Sequence, residues 1–149
     1  MGIGRDTIAS GLTMVIAQRL LRRLCNVCKV SRAPTQAEKD ALSKLLQNMP
    51  DTLKQDISLD VVYDSSKGQQ CRECKGYGFK GMLGVFELFI NTKDLADVIN
   101  EDISEKRIRE HLISNNITNM NQDAAIRILQ GITSIKEAER VLGVLNPEY

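Results

Sequence analysis

The stretch CRECKGYGFKG, residues 71–81, contains two cysteines separated by two residues, and LCNVCKV, residues 24–30, contains the other two cysteines of the chain. A Cys-x-x-Cys segment forms a knuckle that directs two thiolates at one ion, and two knuckles complete the closed tetrahedral ligand set of a structural Zn²⁺ site. The spacing therefore predicts one Zn²⁺ that joins two segments separated by 42 residues. The predicted ligands are Cys25, Cys28, Cys71 and Cys74.

Other roles for the cysteines remain open at this point. A single Cys-x-x-Cys is also typical of thioredoxin-like redox pairs, and the four cysteines could instead form disulfides or bind no metal. The opening MGIGRDTIASGL lacks the pattern of a signal peptide, and no apolar run approaches the ~18 residues of a membrane span. These features favour the cytosol, where thiols are normally kept reduced, and the pairing of all four cysteines favours zinc.

The residues beside the cysteines suit a metal knuckle. Lys29, Arg72 and Lys75 adjoin them and would offset part of the charge of four thiolates. Gly76 and Gly78 allow the backbone to leave the second knuckle with positive φ. The unit CRECKGYG also fits the zinc region of DnaJ-type chaperones, but that family uses four such units, and CNVCKVSR lacks glycines at the matching places.

Composition and charge widen the choice of partners. The chain has 149 residues, of which 42% are hydrophobic and 26% charged, as is typical of a soluble globular protein. Its net charge is +1, but residues 1–34 contain six basic side chains against one acid, Asp6. The six are Arg5, Arg19, Arg22, Arg23, Lys29 and Arg32. This basic end could face nucleotide, nucleic acid, anionic lipid or an acidic protein surface, or it could be a solvated face without a partner.

Local patterns predict mixed helix and strand in the first part of the chain. Residues 5–12 resemble a short helix, whereas the apolar run in TMVIAQRLLRRL, residues 13–24, fits a strand or a helix equally well. Thr35 and Glu38 form a capping box, which predicts a helix over QAEKDALSKLLQ, residues 36–47.

Two strands are predicted after this helix. LDVVYD, residues 59–64, and MLGVFELFI, residues 82–90, have strand composition, and residues 65–70 between them are predicted as a loop. Gly84 within the second strand indicates a bulge or a point of close approach.

The chain after Asn91 is predicted to be helical throughout. Its four short segments begin at residues suited to cap a helix, namely Thr92, Ser104, Asn121 and Ser134. Ser134 forms a second capping box with Glu137. The apolar faces are expected to form a cluster of their own, made of Leu95, Val98, Ile99, Ile108, Leu112, Ile126, Leu129, Ile135, Val141 and Leu142. The predicted fold class is therefore α+β and helix-dominated.

No catalytic set can be assigned from the residues. The sequence contains no G-x-x-x-x-G-K-[ST] phosphate loop, and neither GIGR nor GYGFKG clearly leads from a strand into a helix with a Lys-Ser/Thr end. The single histidine, His111, lies on a predicted helix, where a surface or packing role is expected. We therefore expect this chain alone to be non-catalytic.

Three longer segments carry a family resemblance. They are IASGLTMVIAQRLLRRLCNVCK (residues 8–29), CRECKGYGFKGMLGVFELF (residues 71–89) and LQGITSIKEAERVLG (residues 129–143). In this order they resemble the C-terminal part of the tetracysteine, zinc-binding secretion ATPases that drive type II secretion and type IV pilus assembly. In that family an Ala-Gln-Arg-Leu segment, here residues 17–20, leads into the first Cys-x-x-Cys, and the second leads into a strand like residues 84–88.

The resemblance implies a domain organisation. Residues 1–24 would be the end of a RecA-like ATPase core, residues 25–81 an inserted tetracysteine zinc module, residues 82–91 a core strand, and residues 92–149 a small C-terminal helical lobe. Such ATPases run to several hundred residues, with the Walker motifs upstream of the matched region. The resemblance therefore implies that this chain is a structural and docking part of a longer enzyme.

Cofactors, partners and location follow from the same resemblance. Zn²⁺ would bind to this chain, whereas ATP and Mg²⁺ would bind only in the longer parent. The parent would be a cytoplasmic homohexamer, peripheral at the inner membrane through platform and adaptor proteins, with no nucleic acid expected. Arg19, Arg22 and Arg23 follow what would be a core strand and could contact a nucleotide or an adjoining subunit.

Two other functions remain open. The chain could be a free-standing zinc-ribbon module that binds nucleic acid through its basic end, although Tyr77 and Phe79 are the only candidates for base stacking. It could also be a DnaJ-like module that binds unfolded protein. The sequence does not show whether the parent ATPase would work in type II secretion or in type IV pilus assembly.

Overall fold

The computed structural model describes residues 2–47, 49–54, 57–66 and 70–145. Within these ranges the fold is α+β and rich in helix, as expected, and none of the helices is long and apolar enough to cross a membrane. The strands are β1 (Met14–Leu24), β2 (Val30–Arg32), β3 (Val62–Asp64) and β4 (Phe79–Ile90). The helices are α1 (Arg5–Gly11), α2 (Gln36–Gln47), α3 (Lys93–Glu101), α4 (Glu105–Ser114), α5 (Met120–Leu129) and α6 (Ile135–Leu142), and a 3-10 turn spans Asp51–Leu53.

Strands β1 and β4 form a long antiparallel ribbon. Its register runs from the pair Met14 and Ile90 to the pair Arg22 and Met82, and a bulge follows Arg22. The segment that could have been strand or helix is thus a strand, because β4 supplies a partner that local periodicity cannot reveal. The strand expected over residues 82–90 is confirmed.

Gly84 in β4 is a point of close approach and does not form a bulge. It pairs in register with Leu20. A Cβ atom at this position would lie 2.7 Å from the ring of Phe86 and 2.8 Å from the side-chain amide of Gln18. Glycine therefore makes room for the Phe86 ring over the ribbon.

Strands β2 and β3 form a second, short antiparallel sheet beside α2. The predicted capping box of α2 is confirmed: the Glu38 N–H donates to Thr35 Oγ1 at 3.3 Å, and the Thr35 N–H donates to Glu38 Oε2 at 2.8 Å. Arg32 joins the three elements, since its guanidinium donates to Glu38 at 2.6 and 2.7 Å and to Asp64 at 2.7 Å. Residues 67–69 of the predicted loop lie outside the described residues.

One apolar core joins the cysteine-bearing part of the chain to the last two helices. It takes side chains from β1, α2, β3, β4, α5 and α6 and from the segment after α6. The core consists of Leu21, Leu42, Leu45, Val62, Val85, Ala124, Ala125, Ile128, Leu129, Ile135, Ala138 and Leu145. A buried hydrogen bond of 3.0 Å from the Gln122 side chain to the Leu45 carbonyl also links α5 to α2.

Helix α3 belongs to a second and smaller cluster. Leu95 and Ile99 of α3 pack there with Ala9 of α1, and Phe89 of β4 lies against them. The predicted self-contained cluster of the helical tail is therefore wrong, because α3 packs on α1 whereas α5 and α6 pack on the main core. Helices of eight to ten residues are too short to be stable without such packing.

The helix starts in the tail agree only in part with the prediction. Thr92 and Ser134 cap α3 and α6 through their side chains, whereas Ser104 precedes α4 without a side-chain cap. Helix α5 is capped by Asn119 and not by Asn121, which lies buried inside the helix. The cap at Asn119 is a full capping box with Gln122, and both of its hydrogen bonds measure 2.9 Å.

Candidate metal centre and docking surface

The first cysteine knuckle begins where β1 ends. Cys25 follows the last residue of β1, and its N–H donates to the Gly78 carbonyl at 3.0 Å, which ties the first knuckle to the second. The N–H groups of Cys28 and Lys29 donate to the Cys25 carbonyl at 3.2 and 2.9 Å and close the turn. These backbone hydrogen bonds define the turn of the first knuckle and its contact with the second.

The second knuckle leads directly into β4. The Tyr77 N–H donates to the Cys74 carbonyl at 3.0 Å, and the Gly78 N–H donates to Cys74 Sγ at 3.2 Å. Gly76 and Gly78 have φ values of 84° and 75°, in the left-handed region that glycine adopts at little cost. The predicted turn at the two glycines is confirmed, and it aims one backbone N–H at a cysteine sulfur.

The four cysteine sulfurs lie together, all within 4.8 Å of one another. The closest contacts join the two knuckles, with 3.9 Å between Cys25 Sγ and Cys71 Sγ and 3.6 Å between Cys28 Sγ and Cys74 Sγ. Four sulfurs at ~2.3 Å from one tetrahedral Zn²⁺ would be about 3.8 Å apart. The donor set and these two spacings therefore fit a zinc ion.

The thiols are free and three of them are buried. Burial raises the pKa of the Cys74 thiol, but the N–H groups of Gly78 and Gly76 and the neighbouring thiols outweigh burial and lower that pKa to about 7. A thiol with such a pKa deprotonates readily, which metal ligation requires. With four protein donors there is no open position for substrate, so the arrangement suits a structural site and not a catalytic one.

The charges around the cysteines differ in part from the prediction. The Lys29 ammonium, expected to offset thiolate charge, instead donates to the Gly131 carbonyl at 2.7 Å and lies 4.7 Å from the centre of the Tyr63 ring. Lys80, outside the predicted set, pairs with Glu73 of the second knuckle, and the hydrogen bond that its ammonium donates to the Glu73 carboxylate raises the pKa of Lys80.

A buried carboxylate lies behind the first knuckle. The side chain of Glu137 in α6 is fully buried. Its carboxylate accepts hydrogen bonds from the backbone N–H of Arg22 at 3.0 Å and from the Arg22 guanidinium. It also accepts two from the Arg140 guanidinium, at 2.7 and 2.9 Å. Burial raises the pKa of Glu137, but the hydrogen bonds from Arg140 and Arg22 outweigh burial and lower that pKa to about 2. The second half of the predicted box with Ser134 does not form, because the carboxylate turns to the arginines.

The three arginines expected at a nucleotide or subunit contact have different environments. Arg22 is occupied within the chain, by Glu137 and by the Phe79 ring at 4.2 Å from its guanidinium carbon. Arg19 and Arg23 are exposed on β1, and the Arg19 guanidinium donates to the neighbouring Gln18 carbonyl at 3.0 Å. Arg22 and Glu137 are 115 residues apart, and no local sequence pattern predicts their interaction. Only the resemblance of the segments that contain them to one family connects the two residues.

One face of the β1–β4 ribbon is apolar and open to solvent. Side chains alternate between the two faces of a strand, and Leu21 and Val85 on one face are fully buried in the main core. On the opposite face every large apolar side chain is at least 43% exposed. These residues are Met14, Ile16, Leu20, Met82, Phe86, Leu88 and Ile90, and the register places Ile16 opposite Leu88. We call this set the open face.

Comparison with known proteins identifies a family whose model matches the chain and several similar proteins. Residues 1–140 match the model of the family described as type II/IV secretion system protein. The chain is similar to the type IV pilus assembly ATPase PilB of Acinetobacter baylyi, with 29% identity over 95% of this chain and 23% of the relative. It is also similar to the type II secretion system ATPase E of Vibrio cholerae, with 30% identity over 95% of this chain and 25% of the relative.

A third relative has the same extent of similarity. The type II secretion system protein E of Pseudomonas aeruginosa is 28% identical over 95% of this chain and 25% of its own length. The chain thus spans about a quarter of the length of the curated relatives it matches.

Proposed function

Because this chain belongs to the type II/IV secretion system protein family, we propose that it is the C-terminal zinc-binding and helical part of a motor ATPase. The motor would power type II secretion or type IV pilus extension. The part formed by this chain has a structural and docking role and no catalytic role of its own.

The open face is the observation that carries this proposal. Folded domains rarely expose a continuous apolar patch unless a partner covers it, and a two-stranded ribbon is only marginally stable without further packing. The open face lies on β1 and β4, which correspond to the proposed core segments, residues 1–24 and 82–91. We assign it to the rest of a RecA-like ATPase core, which would cover the ribbon.

The zinc module, residues 25–81, would hold two distant segments together at the end of this ribbon. Zn²⁺ bound to Cys25, Cys28, Cys71 and Cys74 would supply binding energy coupled to folding. The fit rests on the all-sulfur donor set and on the sulfur spacings of 3.6 and 3.9 Å. The helical lobe, residues 92–149, would complete the part by covering the other face of the ribbon.

The remaining features of the proposal concern the longer parent. ATP and Mg²⁺ would bind outside this chain, whose sequence contains no Walker A motif. The parent would be a homohexamer in the cytoplasm, held at the inner membrane by platform and adaptor proteins. Arg19 and Arg23, which are exposed, remain candidates for contacts with a neighbouring subunit, whereas Arg22 is already engaged by Glu137.

A chimera tests the proposal. This chain would replace the matching quarter of the Vibrio cholerae type II secretion system ATPase E, to which it is 30% identical. We expect the chimera to form hexamers in analytical ultracentrifugation and to hydrolyse ATP. A chimera that contains a folded, zinc-loaded insert but neither assembles nor hydrolyses ATP would contradict the proposal.

A double variant on the open face, compared with a control variant elsewhere, tests whether this face is the contact. Ile16→Lys with Leu88→Glu places two opposite charges at facing positions of the ribbon, which avoids repulsion between the strands, and should abolish assembly of the chimera. In the isolated chain the same change should alter the free energy of unfolding by only about 0.5 kcal/mol per site, because both side chains are exposed. Val144→Lys, at a site that is 81% exposed outside the open face, is the matched control and should assemble normally. Equal assembly of both variants would show that the open face is not the contact.

A further inference from the structure

The outer edge of β1 has backbone groups that the fold does not pair. Strand β1 is hydrogen-bonded to β4 on one side, and among the described residues no strand lies on its other side. Only the end of this edge is occupied, since the N–H groups of Arg22 and Leu24 donate to the Glu137 carboxylate at 3.0 Å and to the Ile132 carbonyl at 2.8 Å. Residues 16–20, which precede this end, are all exposed.

The register shows which backbone groups of β1 point to this edge. In an antiparallel pair, facing residues alternate between positions that exchange hydrogen bonds and positions whose N–H and C=O groups point outward. The N–H of Phe86, which lies opposite Gln18, donates to Asp123 at 3.0 Å, so the pair of Phe86 and Gln18 points outward. By the alternation, the residues of the exposed stretch whose N–H and C=O groups point to the outer edge are Ile16, Gln18 and Leu20.

Two further hydrogen bonds agree with this alternation. The Gln18 carbonyl accepts a hydrogen bond from the exposed guanidinium of Arg19 at 3.0 Å, so it is not used by β4. The Asn91 N–H donates to the Thr13 carbonyl at 2.9 Å, which places the inward-pointing groups at odd-numbered residues. The outer edge of residues 16–20 therefore presents a regular row of donors and acceptors.

Such a row is a template for a further strand. The open face lies on the same strand, and a body that covers it also displaces water from the edge beside it. Backbone N–H and C=O groups that lose water need other partners. A strand presents its own N–H and C=O groups at the matching spacing, whereas a helix uses most of them internally.

We propose that the rest of the motor contributes a β-strand that pairs with β1 at residues 16–20 and carries apolar side chains on the side of the open face. The inference rests on the proposed function, and the chain spans only about a quarter of the relatives it matches, which leaves ample chain in the parent for this strand. A second copy of this chain fits less well, because pairing of two β1 edges would leave both open faces exposed.

Hydrogen exchange, resolved to single amides, tests the inference on the full 149-residue chain and on the chimera with the Vibrio cholerae ATPase. In the isolated chain the N–H groups of Ile16, Gln18 and Leu20 should exchange rapidly. The N–H groups of Ala17 and Arg19, which face β4, should be protected. In the chimera the first three should slow by at least about tenfold, so that protection no longer alternates along β1.

A proline variant tests the same edge through assembly. Gln18→Pro removes one outward N–H and no hydrogen bond to β4, so the isolated chain should keep its fold by circular dichroism. In the chimera it should weaken assembly at least about tenfold, because a carbonyl of the added strand loses its donor. Lys93→Pro is the matched control, at the exposed first residue of α3 and after Thr92 in extended conformation, and should assemble normally.

The outcomes are distinct, and hydrogen exchange on the unsubstituted chain decides among them. A chimera that assembles and hydrolyses ATP while the three outward N–H groups still exchange rapidly would overturn the inference and leave the proposed function intact. Protection of these groups already in the isolated chain, increasing with protein concentration, would assign the edge to a second copy and overturn the inference. A chimera with a folded insert that neither assembles nor hydrolyses ATP would overturn both.

Discussion

Replacement of Glu137 by glutamine should reveal how strongly α6 is fixed to the end of β1. Glu137→Gln keeps the size of the side chain but removes the charge that faces Arg22 and Arg140. Removal of one partner from a buried ion pair costs about 3–5 kcal/mol. The side chains of Arg22 and Arg140 are 36% and 55% exposed and can turn to water, so we expect the low end of this range, about 3 kcal/mol.

The pKa of Glu137 gives a similar magnitude. A carboxyl with an ordinary pKa of 4.5 that falls to about 2 in the folded chain contributes about 3 kcal/mol. Because the folded pKa is the lower one, this contribution is complete above pH 4.5 and disappears as the pH falls towards 2. The difference in stability between wild type and Glu137→Gln should therefore shrink over this pH range.

Urea denaturation followed by circular dichroism measures both effects. Glu139→Gln is the matched control, because it removes the same charge from an exposed site on the same helix and should change stability by no more than about 0.5 kcal/mol. The reasoning would be refuted if Glu137→Gln were no less stable than Glu139→Gln at pH 7, or if their difference did not depend on pH.

Three further predictions follow from the fold and the site. Removal of the metal with a strong chelator should speed hydrogen exchange in residues 22–34 and 59–81, and to a smaller extent in α5 and α6, which share the main core. Helix α3 should stay protected because it packs on α1. Uniform loss of protection, or no change in hydrogen exchange, would contradict this prediction. Gly131→Ala should lower the free energy of unfolding, measured by urea denaturation, by at least about 1–2 kcal/mol, because φ is +67° and the new Cβ would lie 2.6 Å from the Tyr63 ring. The control Gly11→Ala has open space around the new Cβ and should not destabilise the chain. The purified chain should not hydrolyse ATP in a phosphate-release assay, and turnover abolished by a mutation within the chain would contradict that prediction.

Local patterns were sufficient where the determinants lie close together in sequence. The capping box at Thr35 and Glu38 and the positive φ at Gly76 and Gly78 each follow from neighbouring residues. At Gly84 the sequence left a bulge and a close approach open, and the structure shows the close approach. The convergence of the four sulfurs followed from the paired spacing, because two knuckles without a spare thiol have few other arrangements.

Long-range partners could not be predicted in this way. The carboxylate of Glu137 was expected to complete a local capping box, but two arginines compete for it, one of them 115 residues away. The helices of the tail were expected to pack together, yet α5 and α6 pack against the apolar side chains of β1, β4 and α2 in the main core.

The metal content of the protein tests the central claim most directly. Protein purified without added metal should contain one Zn²⁺ per chain by elemental analysis, and X-ray absorption should show four sulfur neighbours at ~2.3 Å. The convergence of Cys25, Cys28, Cys71 and Cys74 leads to this expectation. A zinc content near zero, with four thiols that react freely in the native protein, would contradict it.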